Sequence, residues 1–303
     1  MRERAHKKPV WFLAIVFSFF ILNFSFHSGA STTIDAVNHF AYGANIGWLE
    51  SRGDVTSGAV LGEYVCSGFI YGANVGWINL GTGFPTNGIQ YRNRSTNDFG
   101  VNLDGAGNLS GYAWGANIGW IVFTNGTAAG ALAAVDSPKV DMFSGKLSGY
   151  VYSANCGWIS LSNTVANVQT DRIDPGADLN GDGIPDAWEI QNFGTTNINV
   201  NADADGDGIS NIQEYYAGTG PNNVTDYLRI TSVARDSAAV KTSLQWTSVP
   251  TRAYTIQSRP DLILGSWADV ADFGLGVNLA TFNDGTTNGM DFYRVRAYRP
   301  LGP

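Results

Sequence analysis

Two stretches of this sequence set oxygen-bearing side chains at the same intervals. The first holds Asp178, Asn180, Asp182, Asp186 and Glu189; the second, 25 residues further on, holds Asp203, Asp205, Asp207, Asn211 and Glu214. Counted from each leading Asp, the donors fall at positions 1, 3, 5, 9 and 12, with Gly183 or Gly208 at 6 and Ile184 or Ile209 at 7. A hard cation takes roughly six to eight oxygens at short range. Position 7 supplies one from its backbone, the glycine allows the sharp turn, and Glu at 12 can bind through both oxygens. With no Cys or His in either loop, the donors suit Ca²⁺ and not Zn²⁺. Two acidic, solvated turns are the alternative reading. Repetition of the whole pattern favours metal, and the expectation is two Ca²⁺ ions, one per loop.

Little else in the chain could do chemistry. Beyond residue 30 the one histidine is His39, so no Ser-His-Asp, Cys-His or metal-hydrolase helix motif can be assembled. No glycine-rich phosphate loop precedes a helix. A pair of facing carboxylates of glycosidase type stays open, since two acids can meet from distant positions. The regularly spaced acids, however, belong to the paired loops. The chain is not expected to be an enzyme.

The elements that must hold these donors are short. Asp186 to Phe193 reads as a helix stopped by Gly194, and Asn211 to Ala217 as another stopped by Gly218. Trp188, Phe193, Tyr215 and Tyr216 are the candidates for a small local core. So small a segment depends on its ions to fold. Over about residues 174–221 the paired loops resemble the calcium repeats of bacterial secreted proteins, of the thrombospondin type 3 and dockerin-like kind. In EF-hands and dockerins the aliphatic residue sits at position 8. Here Pro185 or Ser210 is there and the isoleucine is at 7, which favours the linker-type repeat. The Ser/Thr pair that many dockerins carry at positions 10 and 11 is replaced by Ala187-Trp188 and Ile212-Gln213, so cohesin binding is not carried over.

The chain starts with Arg2, Arg4, Lys7 and Lys8, an apolar run from Val10 to Leu22, and Ser28-Gly29-Ala30. A basic region, a short apolar run and small residues at a cleavage site make a secretory signal peptide over residues 1–30. The run is short of the ~20 apolar residues of a membrane span. Export, to the cell surface or beyond, is the expectation, with no membrane insertion of the mature chain. The whole chain carries 18 basic and 26 acidic residues, a balance of −8. Four of the basic residues and one acid lie in the leader, so the remainder stands at −11. That surface repels nucleic acid and anionic lipid and suits cations.

Residues 31–172 contain one motif four times, at Phe40–Trp48, Phe69–Trp77, Tyr112–Trp120 and Tyr150–Trp158, whose tryptophans are 29, 43 and 38 residues apart. Such self-similarity marks a repeat architecture. Each copy reads as a β-hairpin; in the third, Gly115 stands first in a two-residue type II′ loop. That register sets Gly111 opposite Trp120 and Tyr112 opposite Gly119, each glycine covered by a ring. The strand after the turn is apolar on both faces and so expected to be covered on both. Ringed or stacked hairpins would supply that cover, as in a solenoid, propeller or prism. Core packing is the default fate of the aromatics. The alternative is a set of sugar-stacking platforms, for which Tyr42, Tyr71, Trp114 and Tyr152 would have to lie exposed in one plane. Cys66 and Cys156 could form a disulfide or stand in for buried aliphatics.

Residues 226–300 alternate again, with about six short strands separated by turn residues, which argues a small β-sandwich. The strands around Trp246, Tyr254 and Tyr293 resemble a fibronectin type III module. The expected class is therefore mainly β: a fourfold hairpin domain, a calcium-loop linker over 173–221 with two short helices, and a C-terminal sandwich. The functional expectation is a non-enzymatic structural or adhesion protein whose halves are joined by a Ca²⁺-ordered linker. Its partners would be calcium and a glycan or another surface protein. The alternative function is a glycan-binding module using the repeat aromatics.

Overall fold

The computed structural model describes residues 31–53, 56–123, 136–236, 241–261, 263, 265–283 and 292–302. The signal peptide expected over 1–30 lies outside these residues. The protein is mainly β, with nineteen strands and two helices among the described residues.

The four motifs fold as four antiparallel hairpins: β1 (Ile34–Gly43) with β2 (Gly47–Glu50), β4 (Cys66–Gly72) with β5 (Gly76–Thr82), β7 (Leu109–Gly115) with β8 (Gly119–Phe123), and β11 (Tyr150–Ser153) with β12 (Gly157–Ser160). Each hairpin pairs with the next, and β12 pairs back onto β1, so the ring closes into an eight-stranded barrel. Closure removes the sheet edges that a row of hairpins would otherwise expose. Short strands line the rim: β3 (Val60–Leu61) pairs with β4, β6 (Val101–Leu103) with β7, and β13 (Val168–Thr170) with β1, while β9 (Lys139–Val140) and β10 (Leu147–Ser148) pair with each other.

The inside of the barrel is aliphatic. Facing pairs fill it, one per hairpin: Ala41 with Leu49, Ile70 with Ile78, Ala113 with Ile121, and Val151 with Ile159. The remaining void is about 40 Å³, far below the ~300 Å³ of a small ligand site. The lumen is a packed core and not a binding cavity.

The hairpin register differs from the one expected. Tyr42 faces Trp48, Tyr71 faces Trp77, Trp114 faces Trp120 and Tyr152 faces Trp158. In the first three copies a Gly–Gly pair closes the loop, as Gly115 with Gly119; in the fourth the pair is Ser153 with Gly157. The loop is three residues long, such as Ala116-Asn117-Ile118, and the Ile118 N–H donates to the Gly115 carbonyl at 3.2 Å. Gly119 then sits at φ +71, a left-handed conformation that breaks the strand alternation. Ile118 and Ile121 therefore both turn inward although three residues apart, and Trp120 turns out. For the same reason the strand after the turn is not covered on both faces: its outer face is open, and the tryptophans stand on the surface.

Asparagine joins the copies at the turn end. Asn45, Asn74, Asn117 and Asn155 each donate from Nδ2 to a turn carbonyl of the preceding copy, those of Cys156, Ile46, Val75 and Ile118, at 2.9–3.1 Å. The cycle runs once around the barrel and closes. A Cβ placed on Gly47, Gly76, Gly119 or Gly157 would lie 3.3–3.5 Å from one of these Nδ2 atoms, so the motif's Asn and Gly are the seam between neighbours.

The fourth copy varies this theme in a compensated way. In the first three, a Cβ on Gly43, Gly72 or Gly115 would come within 2.6–2.7 Å of Ile46, Val75 or Ile118. The fourth has buried Ser153 at that position and the smaller Cys156 where the others have Ile or Val. Cys66 and Cys156 are both buried free thiols, and burial pushes the Cys66 thiol up to about 12.

The C-terminal region is a sandwich of two three-stranded sheets. One contains β14 (Ile230–Asp236), β15 (Lys241–Trp246) and β18 (Leu279–Asn283); the other contains β17 (Ala268–Phe273), β16 (Ala253–Arg259) and β19 (Phe292–Tyr298). Leu244, Trp246 and Phe282 from the first sheet meet Tyr254 and Ile256 from the second.

Between barrel and sandwich lie the two helices, α1 (Asp186–Phe193) and α2 (Asn211–Ala217). Gly194 (φ +73) and Gly218 (φ +76) end them as left-handed caps, donating back to Ile190 and Glu214. Their local core holds Ile184, Trp188 and Tyr215, with Phe193 against it; Tyr64 of the barrel joins it and Tyr216 is exposed, unlike the expectation. Three bodies meet here. The Tyr215 hydroxyl donates to Glu63 of the barrel at 3.1 Å, Arg299 of the sandwich pairs with Glu63, and its guanidinium lies 4.9 Å over the Tyr215 ring. Buried Arg252 caps α2, donating to the Tyr215 and Tyr216 carbonyls at 2.8 Å each. The Ile173 N–H donates to the Leu301 carbonyl, and Leu301 itself packs into the barrel core.

Candidate functional site

The two oxygen loops share most of their backbone bonds. Asp178 accepts the N–H groups of Gly181 and Gly183 at 2.8 and 3.0 Å; Asp203 accepts those of Gly206 and Gly208 at 2.7 and 2.8 Å. Asp182 accepts from the Ile184 N–H, and Asp207 from that of Ile209. The N–H of Asp186 goes to the Ala177 carbonyl, and that of Asn211 to Ala202. Both glycines of each loop are left-handed, including Gly181 and Gly206 at position 4, which sequence reasoning passed over although their recurrence was a visible signal. Each leading aspartate is thus held in place by backbone donors on both of its oxygens.

The helices bring in the last donors. Asp186 and Glu189 lie on the first turns of α1, Asn211 and Glu214 on those of α2, and all four side chains are buried. Glu189 and Glu214 have no solvent exposure at all. In the second loop the carboxylates of Asp203, Asp205 and Asp207 come within 4.8 Å of one another. In the first, position 3 is an amide: Asn180 donates to Asp182 at 2.9 Å and to the Thr196 carbonyl at 2.7 Å. Turning its Oδ1 inward would complete the equivalent set.

Eight buried side-chain polar atoms among the described residues have no hydrogen-bond partner, and five of them are acceptor oxygens of these loops. They belong to Glu189, Asp205, Asp207, Asn211 and Glu214. A buried oxygen without a donor is costly, and repeated cases in one place call for a missing partner. Burial, and then Asp205 and Asp207 beside it, push the Glu214 carboxyl up to about 7. Burial raises Glu189 as well, with Asp182, Asp186 and Asp178 adding to it. In contrast, the loop N–H groups hold Asp203 below the ordinary carboxylate range. Clustered anions, orphaned oxygens and oxygen-only donors fit a hard divalent cation in each loop. Asp178, Asn180, Asp182, Asp186 and Glu189 would hold one, with the Ile184 carbonyl; Asp203, Asp205, Asp207, Asn211 and Glu214 the other, with that of Ile209.

A second feature lies on the outside of the barrel, where packing was the expected fate. Residues directly opposite each other on antiparallel strands point to the same face. Following the pairing across strands gives four rows of outward side chains, each crossing from one hairpin to the next. They are Phe40–Glu50–Tyr71–Trp77, Phe69–Asn79–Trp114–Trp120, Tyr112–Val122–Tyr152–Trp158 and Tyr150–Ser160–Tyr42–Trp48. Ten of these rings are exposed, from 37% for Tyr42 to 50% for Trp77. At the end of each row the two rings are inclined at 56–62° with centroids 4.7–4.9 Å apart. Each Trp also meets a further ring, as Trp77 meets Phe69 at 6.1 Å and Trp120 meets Phe99 at 5.1 Å.

No protein-family model, no curated protein and no solved structure matches the chain.

Proposed function

We propose that the chain is an exported, non-enzymatic adhesion protein in which two Ca²⁺ ions order the joint between an aromatic-banded barrel and a β-sandwich. One observation carries the reading: five buried oxygens at ligand positions of a duplicated loop lack any donor. The ions would cancel the repulsion among the loop carboxylates and satisfy those oxygens. Because α2 also bears Tyr215, which contacts Glu63 and Arg299, ordering its first turn steadies the contact between the halves. Extracellular calcium modules bind with Kd of about 10⁻⁴ to 10⁻³ M, which keeps them filled outside the cell. The test is calorimetric titration of the chelator-stripped protein together with limited proteolysis. The expected results are uptake of about two ions at millimolar concentration, and cleavage within 174–221 that calcium suppresses. No uptake, or a cleavage pattern indifferent to calcium, would refute the proposal.

A second reading is favoured by the exposed rings: the barrel binds glycans. Tyr42, Tyr71 and Trp114 are exposed and Tyr152 half-buried, at equivalent places around the barrel and not in one plane. Each row spans four strands, about 14 Å at ~4.8 Å per strand, which is the scale of an oligosaccharide segment and not of a single sugar. Exposed Trp and Tyr faces suit the CH faces of sugars, and the chain's balance of −8 disfavours acidic polysaccharides.

A further inference from the structure

The four rows differ at one place. Their second position, flanked by aromatics on both sides, is Glu50, Asn79, Val122 and Ser160 in turn. Three of these can hydrogen-bond and one cannot. Glu50 accepts from the Gly53 N–H through Oε1 at 2.9 Å, which leaves the other carboxylate oxygen for a ligand. Asn79 accepts from the Gly81 N–H through Oδ1 at 2.8 Å, so its NH₂ group is the part turned to other partners. Ser160 donates its proton to the Ser162 carbonyl at 2.7 Å and keeps acceptor lone pairs. In the third row the Val122 side chain sits between Tyr112 and Tyr152 with nothing polar to offer.

We propose that these second positions set the valency of the barrel: the rows containing Glu50, Asn79 and Ser160 each bind a segment of a neutral pyranose chain, and the Val122 row does not. The proposal rests on the glycan-binding reading and assigns its sites. A pyranose has an apolar CH face and a hydroxylated rim. Two rings flanking a polar group match both, since the faces stack and the rim hydroxyl keeps a hydrogen bond. Over Val122 the same hydroxyl would lose water and find no partner on that side chain, the kind of unmet polar group that sites discriminate against strongly. A lipid surface reverses this preference, because Glu50, Asn79 and Ser160 would interrupt its contact and Val122 would not. Net charge settles the remaining chemistry, since Glu50 and the acidic chain repel uronate or sulfated glycans.

The test uses the full mature chain with calcium present. Calorimetry is run with cellohexaose, mannohexaose and xylohexaose, with oligogalacturonate as the acidic probe and phosphatidylcholine vesicles as the lipid probe. The expected result is that one neutral oligosaccharide binds at three places per chain, in line with the three polar rows. Asn79→Val removes one place or weakens it at least about tenfold, the size of one lost hydrogen bond. Val122→Asn creates a fourth. Both changes are on outward strand positions, and Ser160→Val repeats the loss should Asn79→Val melt early. Binding that Asn79→Val, Ser160→Val and Val122→Asn leave unchanged overturns the assignment while the glycan reading stands. Silence toward all three neutral sugars, or preference for the vesicles, overturns both.

Discussion

Replacing Glu214 with Gln should move stability in opposite directions with and without calcium. Glu214 is fully buried, one of its oxygens has no donor, and the other is 3.4 Å from the Thr219 hydroxyl. Burial, then Asp205 and Asp207, raise its carboxyl from 4.5 to about 7. A carboxyl whose folded value is raised binds its proton more tightly folded than unfolded. Without calcium, the contribution of Glu214 is therefore fully present below about pH 4.5, is lost as pH rises toward 7, and stays lost above it. At about 1.4 kcal/mol per pH unit, the carboxylate costs the ion-free joint about 3 kcal/mol at pH 8. Gln has nearly the same shape, no charge, and an NH₂ that can donate to the orphaned oxygens of Asp205 and Asp207. In chelator at pH 8, Glu214→Gln should thus stabilise the segment by about 1–3 kcal/mol. With calcium at about a hundred times Kd, each filled loop gains roughly 2.7 kcal/mol by linkage; the variant forgoes the second loop's gain, a net loss of up to about 1.7 kcal/mol against wild type. Amide exchange of α2 is the assay, because it reads local opening without requiring the barrel or sandwich to unfold. The expectation is slower α2 exchange than wild type in chelator and faster exchange in calcium. If the variant exchanges faster in chelator too, Glu214 is a structural carboxylate and the ion-site argument fails.

Two further predictions concern the ring of turns. Asn117→Ala removes the donor to the Val75 carbonyl and should cost about 1–2 kcal/mol, while Asn117→Asp, which sets a carboxylate oxygen against that carbonyl, should lower the melting temperature more. An Asp variant as stable as wild type would show that the closed cycle is incidental. Gly115→Ser would place a Cβ 2.7 Å from Ile118, an overpacking cost of about 1–3 kcal/mol, and adding Ile118→Cys copies the Ser153/Cys156 arrangement of the fourth hairpin. In a double-mutant cycle by urea denaturation the pair should be less destabilised than the sum of its singles, and strict additivity would refute the compensation.

Local signals in this chain were legible where one residue type decides the geometry. Gly194 and Gly218 marked the helix ends, and the structure stops both helices there. The six C-terminal strands followed from alternation, clearest in β15, where Thr242, Leu244 and Trp246 are buried and Lys241 and Gln245 exposed. The duplicated donors were equally visible, because the 25-residue offset repeats in the backbone bonds as well as in the side chains. The hairpins were harder. Alternation read straight through Gly119 sends Ile118 and Trp120 to one face, and only the left-handed φ of that glycine separates them. A one-residue slip exchanges inside and outside, so one misread turn put the aromatics in the core. Closure was illegible for another reason: the Asn that joins one copy to the next sits in a turn, where Asn needs no special explanation.

The correct register also changes what the aromatics are for. Had they covered glycines across the ladder, folding alone would account for them. Instead the folding requirements of the motif are met elsewhere: the aliphatic pairs fill the barrel, the left-handed glycine turns the chain, and the asparagine ties each turn to its neighbour. Trp48, Trp77, Trp120 and Trp158 contribute mainly ring-to-ring contacts on an open face. Polar residues at those positions would leave the interior and the turn ring intact and would remove an exposed apolar belt, which is a liability for any chain in water. A costly feature kept in all four copies and not demanded by the core has its reason outside the molecule. That is the physical argument for a ligand on the belt, independent of which ligand it is. It also orders the experiments, because a barrel stripped of its outer tryptophans should still fold, at a lower melting temperature, while losing whatever it binds.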